Sequence, residues 1–125
     1  MCITNAKTDK PYNDFTIRWK VMFKSRNIPN WYTSMAAGTI WRVGVEQQST
    51  DSSNLRANSD ADIGFHVFVT REDARWYRKS QINCDLYIPV IVKMKVRQFI
   101  ARGFANYSST RCETWKYATV IEEVR

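Results

Sequence analysis

The sequence predicts an α+β fold in which a mainly antiparallel sheet of about five strands carries one principal helix, at about 71–80. Several segments alternate apolar and polar residues with the period of a half-buried strand, and a single segment combines an N-capping residue with helical spacing. A wound α/β fold would need more helices. The length of 125 residues fits one domain, so residues 1–125 are expected to form a single domain.

The clearest strand runs from Phe15 to Phe23, where five apolar residues at odd positions alternate with the residues between them. The polar stretch 1–14 before it is predicted to be an arm or loop. A second strand is predicted at 39–45, beside Gly38 and Gly44. Residues 47–62 contain one large apolar side chain, which predicts a flexible loop.

Three more strands are predicted at 63–69, 90–96 and 115–124, with turns around Gly103 and at 106–110. The helix lies between the first two of these strands. Thr70 is a suitable N-cap, and the acidic residues 72 and 73 complement the helix dipole in the first turn. Ala74 and Tyr77 have the spacing of an inward face, and the basic residues 71, 75, 78 and 79 are expected to face outward.

The composition favours an anionic partner. The formal net charge is +7, and aromatic residues make up 14% of the chain, so phosphates and bases are both physically suitable ligands. The charge is spread along the chain without a run of five basic residues, so a solubilising surface is the alternative interpretation. A role as an acidic mimic of nucleic acid is excluded, because a positive surface cannot imitate phosphates.

The cysteines indicate a reducing compartment. Cys2, Cys84 and Cys112 are odd in number and form no C-x-x-C pair, and no signal peptide or long apolar run is present. We therefore expect a cytoplasmic protein that does not enter a membrane. His66, the one histidine, has no ligand partner at zinc-binding spacing, so no metal and no cofactor are expected.

The basic residues of two predicted strands form the strongest electrostatic pattern. Lys93, Lys95 and Arg97 are spaced i, i+2 and i+4, which places three cations on one sheet face, about 7 Å from each to the next. Arg18 and Lys20 repeat this spacing. If the two strands are neighbours, five cations line one surface and can bind phosphates. The alternative is the ordinary polar side of a half-buried sheet.

Three further side chains are candidates for such a ligand site. Trp31 and Tyr32 are predicted to offer stacking surfaces, and His66 is predicted to hold a ligand phosphate or a proton, with a structural histidine as the alternative. No catalytic residue is predicted. The pairs Cys84-Asp85, Cys112-Glu113 and Glu122-Glu123 are sequence neighbours, and neighbours on a strand point to opposite faces.

The block G-F-H-V-F-V-T-R-E-D-A at residues 64–74 resembles a motif of small uncharacterised proteins from phages and bacteria. Those proteins are similar in beginning with Met-Cys, as here, and in carrying a Trp-x-x-Gly such as 41–44, a Val/Lys strand such as 90–96, and a late Glu-Glu pair. The resemblance implies a phage or prophage setting, with the host cell cytoplasm as the location. It implies no activity.

The sequence also resembles the ADP-ribosyltransferase-type fold, in which a strand ending in Thr or Ser leads into a helix with an inward Ala. Those enzymes bind NAD with a His or Arg on an early strand and use a late Glu. Here the first strand has Arg18 but no His, and no Ser-Thr-Ser follows. The fold is then shared without the catalysis.

Three functions follow as hypotheses. The first is a non-enzymatic phage-type protein, oligomeric and acting against host defence, that captures a small anionic nucleotide. The second is an inhibitor that binds nucleic acid or a host defence protein through a basic sheet face. The third is an ADP-ribosyltransferase-like enzyme that uses NAD. We expect a homo-oligomer and a non-enzymatic role.

Overall fold

The structure is a computed structural model that describes the backbone of residues 3–7 and, with side chains, residues 15–33, 40–49, 64–81, 87–105 and 110–124. Within these ranges the chain forms eight strands and one helix. In chain order the elements are β1 (Ile3–Lys7), β2 (Thr16–Ser25), β3 (Trp31–Thr33), β4 (Ile40–Arg42), β5 (Glu46–Gln48), β6 (Phe65–Phe68), α1 (Arg71–Lys79), β7 (Tyr87–Ala105) and β8 (Arg111–Val124).

The strand pairings close four strands into a ring. The long strand β7 pairs antiparallel with β8 on one edge and with β2 and β1 on the other. The short strand β6 pairs with β8 and also with β2, where the single matched pair is Trp19 with Phe68. β3 and β4 extend the sheet from β2, and β5 lies against β8. All these pairings are antiparallel.

Apolar side chains cover both faces of this sheet, because alternate residues of each strand point to opposite sides. One face, here called the core face, buries a cluster that includes Met22, Trp41, Val92, Met94 and Trp115. The other, here called the helix face, buries Val21, Phe68 and Ile91 together with Ala74 of α1. The helix therefore covers part of one sheet face.

The start of α1 follows from its sequence. The Thr70 hydroxyl accepts a hydrogen bond from the Asp73 backbone N–H at 3.1 Å and donates one to the Asp73 carboxylate at 2.8 Å. This cap satisfies a backbone donor that the first turn leaves open. Ala74 is fully buried against the sheet, and the Tyr77 ring lies 5.3 Å from that of Phe68. The predicted cap and inward residues are confirmed.

Among the described residues the predicted mainly antiparallel sheet with a single helix is confirmed and is consistent with the α+β class, but the strands number eight rather than about five. Residues 3–7, predicted to be part of an arm, form β1 at the edge of β7. The predicted strand 39–45 is interrupted at Gly44, whose φ of +83° makes a turn between β4 and β5.

The last two strands are longer than predicted. β7 begins at Tyr87 and continues through Gly103, which pairs with Cys112, so the expected turn at Gly103 is wrong. A positive φ of 59° at Gln98 and a register shift between Phe99 and Ala101 let this strand bend without ending. The predicted loop 47–62 lies outside the described residues from position 50 onward.

No helix among the described residues has the length and apolar character needed to cross a membrane.

Candidate functional site

The five predicted cations do not share a surface. β2 and β7 are neighbours, as the prediction required, but Arg18 pairs with Met94 and Lys20 pairs with Val92, whereas Lys93 pairs with Trp19. Residues paired directly across a ladder point to the same side of the sheet. Arg18 and Lys20 therefore lie on the core face, while Lys93 and Lys95 lie on the helix face. The prediction that all five cations line one surface is wrong.

Arg18 is engaged in a buried ion pair. Its Nε donates to the Glu113 Oε1 at 2.6 Å and its Nη2 lies 3.4 Å from Oε2, while the Trp115 indole N–H donates to the same Oε1 at 3.0 Å. The side chains of Arg18 and Glu113 are only 10% and 1% exposed. A buried charge needs such partners to offset its desolvation, so this group has a structural role.

Lys20 is also withdrawn from solvent. Its ammonium donates to the backbone oxygen of His66 at 2.7 Å, and burial lowers the pKa of the amine to about 8, with a smaller opposing effect from the neighbouring Cys112. A lysine held in this way ties β2 to β6. It does not present its charge to a ligand at the surface.

The remaining predicted residues are divided between interior and surface. His66 is half-buried and points to the helix face, whereas its neighbour Val67 points to the core face. Tyr32 is buried among core-face residues, and burial together with Glu123 raises the pKa of its phenol. Trp31 is half-buried, with the Arg42 guanidinium 4.7 Å from its ring centre. A base cannot stack on the enclosed ring of Tyr32.

The helix face retains the three cations predicted on β7, and we call Lys93, Lys95 and Arg97 the cation row. The Lys95 ammonium lies 4.0 Å from the ring centre of Phe15, and the Arg97 guanidinium lies 3.8 Å from that of Tyr117. These cation–π contacts fix the side chains over aromatic surface without neutralising their charge. The row is therefore partly preorganised for an anion.

Arg97 has a second partner on β5. Its Nε and Nη2 donate to the two carboxylate oxygens of Glu46 at 2.9 and 2.7 Å, a planar two-bond fork. Both side chains are partly exposed, at 31% and 39%. The hydrogen bond from Arg97 is the largest cause that lowers the pKa of the Glu46 carboxyl; desolvation opposes it, and the charges of Arg97 and Lys95 add to the lowering.

A further cationic surface on α1 was missed as a site by the sequence reasoning. At about 100° per residue, Arg71, Arg75, Arg78 and Lys79 occupy one continuous sector of the helix, about 100° wide, here called the helix stripe. Its acidic residues 72 and 73 fall outside that sector. The spacing of these basic residues, which matches the 3.6-residue period of a helix, is the sequence signal that identifies the helix stripe. The expectation that each of them faces outward does not by itself place them side by side.

Exposed aromatic rings accompany both groups of cations. Phe15 is 58% exposed beside Lys95, and Trp76 on α1 is 46% exposed. α1 packs on the helix face and contacts β7, the strand that carries the cation row, so the cation row and the helix stripe share this face of the closed sheet. This side can contact phosphates through its cations and bases through its rings.

Among the described residues, neither a metal site nor a reactive cysteine is found. No cluster of three or more metal-ligating side chains occurs among them. Burial, with Glu113 adding to it, raises the pKa of the Cys112 thiol to about 12, which leaves that thiol protonated and unreactive near neutral pH.

Comparison with known proteins finds no matching family model, no similar curated protein and no similar solved structure. The resemblances to phage proteins and to the ADP-ribosyltransferase-type fold stay predictions.

Proposed function

We propose that this protein binds single-stranded nucleic acid on the side of the sheet that carries α1. The observation that supports this best is the presence of exposed aromatic rings, Phe15 and Trp76, on the same side as the cation row and the helix stripe. Cations that follow the backbone and rings that stack on unpaired bases are the two elements of single-strand recognition.

The length of the cation row favours a strand over a small ligand. Lys93 and Arg97 are four residues apart on one strand, a span of about 13 Å. Several phosphates can occupy that distance together. Arg18, Lys20 and Tyr32, three of the residues first expected to enclose a small nucleotide, are buried, and both cations are hydrogen-bonded within the fold. Small-nucleotide capture and NAD chemistry stay alternative hypotheses.

Charge supports the same proposal. The helix stripe holds four cations, and the acidic residues 72 and 73 of the first turn lie outside it. The excess of 19 basic over 12 acidic residues favours association with any polyanion at low ionic strength. Selectivity for a single strand then depends on the rings, because phosphate contacts alone carry no information about base stacking.

Fluorescence anisotropy with labelled oligo(dT) and oligo(U), each of 20 nucleotides, tests the proposal across a series of KCl concentrations. We expect the paired changes Lys93→Gln with Lys95→Gln to weaken binding roughly tenfold and to reduce the slope of log affinity against log salt. Trp76→Ala is expected to weaken binding with little change in slope, because stacking is not electrostatic; about 1 kcal/mol or more is expected per stacked base.

The control is a charge-matched pair, Arg26→Gln with Arg111→Gln, on exposed residues at the β2–β3 turn and at the start of β8, where Arg111 alternates with the helix-face residue Cys112. This control is expected to have a smaller effect than the change in the cation row. If the wild-type protein shows no binding at 50 mM KCl, or if the two paired changes weaken it equally, the proposed site is wrong.

A further inference from the structure

We propose that Glu46 is an internal competitor for the ligand, a carboxylate that occupies Arg97 until a phosphate group replaces it. This inference rests on the proposed function and concerns the regulation of the same surface. It begins from the contact between the two residues, which is the one bidentate ion pair in the described part of the helix face.

The geometry of the pair is that of phosphate recognition. Arg97 presents two N–H donors in a plane, Nε and Nη2, to two oxygens of one anion. A phosphate offers the same pair of acceptors, and arginine binds both anions with this fork. Glu46 therefore fills the position that a backbone phosphate would occupy on the cation row.

The exchange of one anion for another is energetically accessible. Both side chains are about one-third exposed, so neither charge must be moved out of a dry interior when the pair opens. Exposed ion pairs of this kind are weak in water. Arg97 does not depend on Glu46 for its position, because its guanidinium also lies on the Tyr117 ring at 3.8 Å. It stays in place to receive a phosphate.

The position of Glu46 extends its effect beyond one arginine. It belongs to β5, a three-residue strand whose described pairing is with β8, and the charge of Lys95 also acts on its carboxyl. The carboxylate thus lowers the positive potential at two of the three members of the cation row. Its departure increases the charge that a polyanion meets there.

The test is a mutant cycle in the same anisotropy assay with oligo(dT) of 20 nucleotides. Glu46→Gln is expected to bind roughly three- to fivefold more tightly than the wild type, since it removes the competing charge. That gain is expected to disappear when Arg97→Gln is also present. Glu122→Gln is the charge-matched control, because Glu122 pairs across the ladder with Lys93, whereas Glu46 bonds to Arg97.

The outcomes separate the two proposals. If the wild type binds and the Glu46→Gln gain is absent, or persists undiminished with Arg97→Gln, then Glu46 is not a competitor for that guanidinium although nucleic-acid binding stands. A gain from Glu122→Gln that is equally sensitive to Arg97→Gln also overturns the inference. If the wild type fails to bind either oligonucleotide, the proposed function itself is wrong.

Discussion

Removal of Arg18 is expected to be among the most destabilising single changes in the sheet. The Glu113 carboxylate is 1% exposed, and Arg18 and the Trp115 indole are the donors found around it. Arg18→Met keeps much of the aliphatic volume but leaves a buried carboxylate without its counter-charge. Breaking a buried pair in this way costs about 3–5 kcal/mol of the free energy of unfolding.

A double-mutant cycle isolates the charge effect from the loss of packing. Glu113→Gln keeps an amide oxygen that can accept from Trp115, so it removes the charge and preserves the shape. We expect the double variant to be less destabilised than the two single effects added together, by roughly 2 kcal/mol or more. The assay is urea unfolding at pH 7, followed by tryptophan fluorescence and circular dichroism. Additive effects, with a coupling energy near zero, would refute the reasoning that this ion pair is a buried and mutually dependent unit.

Three further results are expected from the same unfolding assay and from thiol labelling. The pKa of Lys20 falls from 10.5 to about 8 on folding, so the unfolded chain holds more protons above pH 8. Stability is therefore expected to rise by about 1 kcal/mol between pH 8 and 9, and Lys20→Met is expected to remove this rise; the raised pKa of Cys112 partly opposes it, because around pH 9 that thiol ionises in the unfolded chain only. In a Cys2→Ser, Cys84→Ser background, Cys112 is expected to react with iodoacetamide only after denaturation, and rapid native labelling would show that it is accessible. Thr70→Ala is expected to cost about 1 kcal/mol through loss of the helix cap, and Thr70→Ser is expected to retain most of that stability.

Local patterns in the sequence predicted the elements that depend on neighbouring residues. The alternation from Phe15 to Phe23 marks β2, and Thr70 with its acidic first turn marks the start of α1. The three-residue strands β3, β4 and β5 are too short to show a period, and their pairing with other strands holds them in place. Their existence is decided by contacts distant in sequence, which spacing alone does not report.

The site was predictable only within a single strand or helix. The spacing of Lys93, Lys95 and Arg97 correctly placed them on one face, since alternation is a local property. Whether Arg18 joins them depends on the register between β2 and β7, and a shift of one residue changes the answer. The bond between Glu46 and Arg97 joins residues 51 positions apart and has no local signal.

The closure of the ring has a consequence for how the native protein opens. β2 and β6 meet at one pair, Trp19 with Phe68, whereas β7 and β8 are paired along most of their length. α1 packs on β2, β6 and β7, so it holds the sparsely paired β2 and β6 strands together. In native-state hydrogen exchange, the amides of β6 and α1 are expected to lose protection together in a sub-global opening. The amides of the β7–β8 hairpin are expected to exchange more slowly than those of β6 and α1.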